Sequence, residues 1–275
     1  MSDISYPERR AAVEPTSVFD LTKKVILVTG GGRGLGLTLA TSFVKLGAIV
    51  YCLDRLPHPE LEFEKERERA NDSLPGSLHY VRVDVADPED VRTVIGDISS
   101  KERGVDGLLA AAGVQQITPA LEYSMEDVRK MIDVNYSGVL VCAQEVAKTM
   151  IHYKRPGSIV FVASISGFVA NKGLLSPVYN SSKAAVIQLG KNLAMEWGQH
   201  GIRVNSLCPG HIITPMVLEN FREKPDLKEI WERENMLGRL STPDEYVGAA
   251  VYLLSNASSF QTGGTLTVDG GHTAW

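Results

Sequence analysis

Residues 24–29 (KVILVT) form a short apolar run that leads straight into Gly30-Gly31-Gly32-Arg33-Gly34-Leu35-Gly36. A β-rich run without polar alternation reads as a strand buried on both faces. An apolar-periodic helix follows over about 35–46, stopped by Gly47, and residues 49–53 are a second buried strand ending at Asp54. Strand, crossover helix and strand in this order set up a parallel sheet. Glycines at the turn let backbone N–H groups approach a pyrophosphate, and those nearer the helix allow close helix–strand packing. The helix N-terminus adds partial positive charge. A glycine-rich turn alone is a weak signal. With a strand before it, a helix after it and an acid closing the next strand, it reads as a dinucleotide site. Asp54 lies 18 residues after Gly36, where an acid grips a ribose hydroxyl pair. A turn-forming Asp at a strand end is the plain alternative.

The alternation continues to the C-terminus. Residues 55–77 are charged and Pro-flanked and suit a solvated helix or loop. Residues 79–83 are a third strand, followed by Asp84. Asp87-Pro88-Glu89 starts a helix running to about Lys101. Residues 107–111 are a fourth strand, and Ser124 caps one long helix over 125–152. Asn135 lies inside that helix despite its poor propensity, which asks for a structural or chemical reason. Residues 158–163 are a fifth strand ending at Ser164, residues 203–208 a sixth and residues 265–268 a seventh. Residues 214–240 are amphipathic, with Met216, Phe221, Trp231 and Met236, and read as lid helices over a pocket. There is no internal repeat or linker. The expectation is a single doubly wound, Rossmann-like α/β domain over 21–275: a seven-stranded parallel sheet with helices on both faces, behind a loose tail of residues 1–20.

Composition closes other routes. Net charge is −5 without a basic block, which argues against nucleic acid as a partner. Cys52, Cys142 and Cys208 are scattered and odd in number, so they read as reduced core thiols, and no His/Cys cluster suggests a metal. No secretory h-region or membrane-length apolar run occurs, so the expected setting is the cytoplasm.

Tyr179-Asn180-Ser181-Ser182-Lys183 reads as helix, so Tyr179 and Lys183 share a face one turn apart. A phenol titrates near ~10 and is a poor proton shuttle at neutral pH until a neighbouring cation favours the phenolate. Closing a gap of about 3 units takes roughly 4 kcal/mol, within reach of a partly desolvated ammonium. Alone, the pair reads first as a surface Tyr and a solvated Lys.

In context, the chain resembles the classical short-chain dehydrogenase/reductase (SDR) family over essentially residues 20–271. Residues 29–36 fit its T-G-x-x-x-G-x-G, Asn135-Tyr136-Ser137-Gly138 its N-x-x-G, and Tyr179 with Lys183 its Y-x-x-x-K. Ser164 stands where the catalytic Ser stands. Residues 209–214 (PGHIIT) fit P-G-x-x-x-T, and Val268-Asp269-Gly270-Gly271 fits the C-terminal signature. One departure is plain: Ala110-Ala111-Ala112-Gly113 replaces the usual N-N-A-G, which puts a structural hydrogen bond in doubt. A slightly long gap from Ser164 to Tyr179 keeps Ser166 as a rival for the Ser role.

The resemblance implies hydride transfer between a nicotinamide and a secondary alcohol or ketone: a polyol, a sugar or a cyclic ketone. A biosynthetic NADPH-dependent ketoreductase is the alternative, and a silent dinucleotide-binding scaffold or sensor a further one. Tyr179 would be the acid or base, Lys183 would lower its pKa and hold the ribose, Ser164 would bond the substrate oxygen, and Asn135 would anchor a water. Gly30, Gly32, Arg33, Gly34, Leu35 and Gly36 would hold the phosphates, and Asp54 and Arg55 would meet the adenosine ribose. Asp84 would touch the adenine and Thr214 would lie near the nicotinamide carboxamide; Val85, Ala111, Gly113, Pro209, Gly210 and Ile212 complete the cofactor-binding set, with Tyr179 and Lys183. Asp54 favours NAD; Arg33 and Arg55 keep NADP open. Gln115, Ser166, His211 and Met216 are candidates for the substrate pocket. The family's helix bundles imply a homo-tetramer or dimer.

Overall fold

The computed structural model describes residue 14 and residues 16–275, with the side chains of Pro215, Met216 and Glu223 outside that description. Most of the expected tail over 1–20 therefore lies outside the described residues; Ser17–Phe19 form a single 3-10 turn.

The seven strands are β1 (Val25–Thr29), β2 (Ile49–Asp54), β3 (Ser77–Arg82), β4 (Gly107–Ala110), β5 (Gly157–Val162), β6 (Ile202–Pro209) and β7 (Thr265–Val268). They lie in the order β3-β2-β1-β4-β5-β6-β7, every neighbouring pair parallel. The order reverses between β1 and β4, and such a switch point opens a crevice at the carboxyl ends of the strands. The Gly-rich turn after β1 and the loop after β4 flank it.

Helices α1 (Gly34–Lys45), α2 (Leu61–Ser73), α3 (Pro88–Glu102), α4 (Met125–Ile132), α5 (Gly138–His152), α6 (Pro177–Trp197), α7 (Pro215–Glu223), α8 (Leu227–Glu234) and α9 (Val247–Leu254) supply the crossovers and the lid. The solvated segment 55–77 contains α2, and the expected start of α3 holds: the Asp87 side chain accepts from Glu89 N–H and Asp90 N–H. One core cluster packs α3, α5 and α6 against one face of the sheet, and a second packs α1 and α9 against the other. A small third cluster, built on Leu174, Leu227, Trp231 and Leu240, sits under the lid.

The single long helix expected over 125–152 is interrupted. Asp133–Ser137 form a π-helical turn between α4 and α5. The cause is tertiary. Buried Asn135 is pinned by three side-chain bonds, accepting from Val114 N–H (2.9 Å) and donating to the Val114 carbonyl (2.9 Å) and the Ser182 hydroxyl (3.1 Å). Such bulges accommodate an extra residue where a side chain must face a fixed partner.

Thr29 bonds the main chain at the Ala110–Ala112 departure. Its hydroxyl accepts from both Ala111 N–H and Ala112 N–H at 3.1 Å, tying the ends of β1 and β4 together.

Candidate active site

Two adjoining cavities open at the switch point. The larger, about 450 Å³, runs along the Gly-rich turn to the ends of β2 and β3. Gly30, Arg33, Gly34, Leu35 and Gly36 line one end, and Asp54, Arg55, Asp84 and Val85 the other. Ala111, Gly113 and Thr214 close it toward the second cavity. Leu53, Val83, Ala112 and Val114, at strand ends and in loops, and Val134, in the π-helical turn, join them; their neighbours carried the motif signal.

The backbone makes this cleft. Gly36 packs so closely that a Cβ there would lie 2.2 Å from the Gly30 carbonyl oxygen, and Gly34 has φ +55° with open space before it. α1 starts here with no side-chain cap and no acid in its first turn, so its free N–H groups and dipole can meet an anion. Gly32 does not line the cleft. It donates its N–H to Asp54 at 3.1 Å, and a Cβ there would strike that carboxylate. Asp54 also accepts from Leu56 N–H at 3.3 Å, which fixes its orientation. Arg33 pairs with Glu60 at 2.9 Å. Asp84 accepts from Ala86 N–H, so it braces a turn, while Asp87 caps the helix. A charged diphosphate flanked by two nucleosides fits such a trough, with phosphates at α1 and a ribose at Asp54.

The second cavity, about 180 Å³, brings Ser164, Ser166, Tyr179, Lys183, Gln115 and His211 together. Pro209, Gly210 and Ile212, expected on the nucleotide, line this cavity, because the chain leaving β6 turns beneath it. The Met216 side chain is outside the described residues. Lys183 is buried and donates to the Val162 carbonyl at 2.9 Å, with its Nζ 5.6 Å from the centre of the Tyr179 ring. A Cβ on Gly113 would stand 3.5 Å from both Lys183 Nζ and Asn135 Oδ1, so the three residues converge.

Burial pushes the Lys183 ammonium down to about 8. Burial raises the Tyr179 phenol, with the Ser164 hydroxyl pulling the other way. This corrects the expectation of a phenol depressed by Lys183: the protein alone holds Tyr179 protonated, in the state of a general acid. Ser164, and not Ser166, faces the phenol; Ser166 donates its N–H to Ser164 Oγ at 3.1 Å.

Sequence reasoning missed Asn171, Leu174, Val217 and Asn220 in this cavity, and placed Trp231 only in the segment over it. Asn220 was within reach, since Val217, Asn220 and Phe221 fall on one face of α7 at helical spacing. It donates to Gln115 Oε1 at 3.4 Å. Trp231 stacks on His211 with centroids 4.0 Å apart, and burial drives His211 down to about 3. Thr214 caps α7 through Val217 N–H. Among the described residues no cluster of three or more His, Cys, Asp or Glu side chains is placed to hold a metal, and no helix is long and apolar enough to cross a membrane.

A parallel sheet with a glycine-lined crevice and a Ser/Tyr/Lys pocket beside it defines a dinucleotide-dependent enzyme. The chain belongs to the short-chain dehydrogenase/reductase family and is an NAD(P)-dependent oxidoreductase of CH–OH and C=O groups. A family model described as enoyl-(acyl carrier protein) reductase matches residues 30–273. The chain is 40% identical to the short chain dehydrogenase/reductase notP' of Aspergillus versicolor, over 94% of this chain and 90% of that one. It is 36% identical to a galactitol 2-dehydrogenase of Rhizobium johnstonii, over 94% of this chain and 98% of that one. Its structure matches a gluconate 5-dehydrogenase from Burkholderia cenocepacia, solved with NADP and tartrate, at a TM-score of 0.86 and 30% identity, covering 95% and 100% of the two chains.

Proposed function

We propose that the enzyme interconverts a hydroxylated secondary alcohol, a polyol or sugar derivative, and its ketone. One observation carries the reading: Ser164, Tyr179 and Lys183 meet in a pocket whose other walls hold Gln115, Ser166, Asn171 and Asn220. These side chains bond one another in pairs, and an apolar ketone leaves their remaining donors and acceptors unused, at about 1–3 kcal/mol for a group stranded in this way. The galactitol and gluconate enzymes above act on substrates of this kind.

The nicotinamide, when bound, supplies or accepts the hydride. In reduction Tyr179 gives its proton to the carbonyl oxygen as the carbon becomes a carbinol; in oxidation the phenolate takes it back. Ser164 donates to that oxygen as charge builds there. Lys183, uncharged for part of the time near pH 8, relays protons and holds the ribose. Asn135 has one Oδ1 lone pair left over from its bonds to hold a connecting water. Replacing Tyr179 by Phe should abolish turnover while the dinucleotide still binds; unchanged turnover would overturn the scheme.

NAD is the favoured dinucleotide. Asp54, held by Gly32 N–H, would repel a 2′-phosphate on a ribose bound beside it, and Glu60 engages Arg33, one of the two cations that could have answered that phosphate. The NADP in the gluconate enzyme favours the other reading. Separate NADH and NADPH titrations decide between them. Exposed Ile151 on α5 and Met195 on α6 support assembly as a homo-tetramer or dimer, to be read by light scattering. Three buried free thiols suit the cytoplasm.

A further inference from the structure

Among the described residues, His211 alone lines both the substrate pocket and a smaller chamber behind it, of about 80 Å³. Asn235, Arg239, Ser241, Tyr246 and Asp269 form most of the chamber's walls. The His211 backbone is pinned: its carbonyl accepts from Ser241 N–H at 3.1 Å and from the Ser241 hydroxyl at 2.9 Å. Its ring is held differently. Nε2 is buried with no hydrogen-bond partner among the described residues. Two ring contacts do the holding. Trp231 stacks on one face, centroids 4.0 Å and planes 1° apart, and His272 meets the ring edge-on at 5.0 Å and 83°. Edge-to-face packing at this distance is favourable. Burial keeps the His211 ring neutral, so it packs as a ring and not as a cation.

His272 itself lines neither cavity. It rides on a turn after β7 that Asp269 locks, its carboxylate accepting from Gly271 N–H (3.0 Å), Thr273 N–H (2.9 Å) and the Thr273 hydroxyl (2.7 Å). The turn is tied to the lid, where Leu237 N–H donates to the Gly270 carbonyl at 3.1 Å. It also presses on the residue before His211: a Cβ on Gly210 would lie 2.7 Å from Asp269 Cα. These anchors do not involve the His272 side chain, whose Nδ1 is buried with no hydrogen-bond partner among the described residues. What that side chain contributes here is ring packing on His211. The chamber has room for several waters and hence for a turned imidazole. Asn235, on its wall, carries an Oδ1 without a partner, an acceptor for the N–H of a ring turned that way.

We propose that His272 is a positioning residue for substrate selection: it props the His211 ring forward as a partition between pocket and chamber, so that the enzyme takes compact ketones and alcohols in preference to those extended toward the roof. Without the prop, the ring turns back into the chamber and the pocket deepens. The inference rests on the alcohol/ketone reading above and adds what limits the length of the substrate.

The test uses two ketones that differ only in chain length, 1-hydroxy-2-butanone and 1-hydroxy-2-octanone, assayed on the full-length enzyme with each dinucleotide. The wild type should favour the short ketone in kcat/KM by about tenfold or more, since a fixed wall rejects added methylenes. In His272→Ala that ratio should fall to within about threefold, through a lower KM for the long ketone, while kcat on the short one stays near wild type. His272→Phe keeps an edge-on ring and should restore the ratio. A merely structural role for His272 predicts neither the KM effect nor the rescue. A thermal melt checks the fold of each variant, and His272→Asn, which keeps more bulk but no ring, takes the place of His272→Ala if the latter fails to fold. A wild-type ratio near one, a ratio unchanged in the folded ringless variant, an equal loss on both ketones, or a His272→Phe that behaves like the ringless variant would overturn the proposal. Absence of turnover on both ketones by enzyme that binds the dinucleotide would overturn the alcohol/ketone reading, and this inference with it.

Discussion

The nucleotide cleft and the substrate pocket share Leu35, Ala111, Gly113 and Thr214, yet they are made of opposite materials. The cleft is main chain: a turn closed by glycine, a bare helix end and strand termini rooted in the two large core clusters. The pocket is side chain: amides, hydroxyls and a His–Trp stack under a roof held by a small cluster. Backbone geometry suits a ligand that many enzymes share, and replaceable side chains suit one that changes from enzyme to enzyme.

The largest expected effect separates the two regions completely. Tyr179→Phe should lower kcat by roughly a thousandfold while leaving NADH binding intact, read by stopped-flow turnover beside fluorescence titration. Loss of both together would mean that the regions are not separable. Next, Gly36→Ala puts a Cβ 2.2 Å from the Gly30 carbonyl oxygen. The turn must then shift, and dinucleotide affinity should fall by about ten- to a hundredfold, equivalent to 1.4–2.8 kcal/mol; calorimetric titration would reveal tolerance instead. On the pocket side, Trp231→Ala should raise substrate KM by roughly tenfold and leave the NADH dissociation constant unchanged. A change in NADH affinity would tie the roof to the cleft.

The pH dependence of stability gives a smaller, signed effect. Lys183 titrates at about 8 in the fold against an ordinary 10.5. Between those values the unfolded chain binds more protons, so wild-type stability gains a rising contribution as pH climbs from about 8 to 10.5. Below pH 8 the cost of the buried ammonium is constant. Lys183→Met should remove that rise and melt higher than wild type at neutral pH, despite being inactive. Parallel curves of Tm against pH for the two proteins would refute it. The smallest effect is Thr29→Val, which strands the Ala112 N–H at the edge of the cleft, Ala111 N–H keeping its bond to the residue 29 carbonyl, and should cost about 1–2 kcal/mol in urea unfolding.

The same contrast explains what could be read from the chain alone. The sheet, α1, the Asp54 terminus and the Ser/Tyr/Lys set were legible because each rests on local spacing: a buried run, a glycine turn, one helical turn from Tyr179 to Lys183. The break at Asp133–Ser137 was hidden because it depends on Val114 and Ser182, neither of them nearby in the chain. Asn171 sits in a loop without periodicity, so only folding shows that its oxygen is bare. That Gly32 donates its N–H to Asp54 was hidden because the motif counts glycines without saying which of them meets a neighbouring side chain. The direction of the Tyr179 shift was misread because spacing reveals the nearby cation but not the depth of burial.

The π-helical turn at Asn135 works as a register shim. It inserts one residue into what would otherwise be a continuous helix, and each residue of an α-helix advances the azimuth by about 100°. Within it, Asn135 must look toward the loop after β4; downstream, Val139, Cys142, Val146 and Met150 must look into the core. Excising any single residue between 133 and 137 would straighten the rod and swing one of these two sets away from its seat. The segment therefore tolerates exchange of side chains far better than a change of length, and a one-residue deletion there should do more harm than most substitutions along α5.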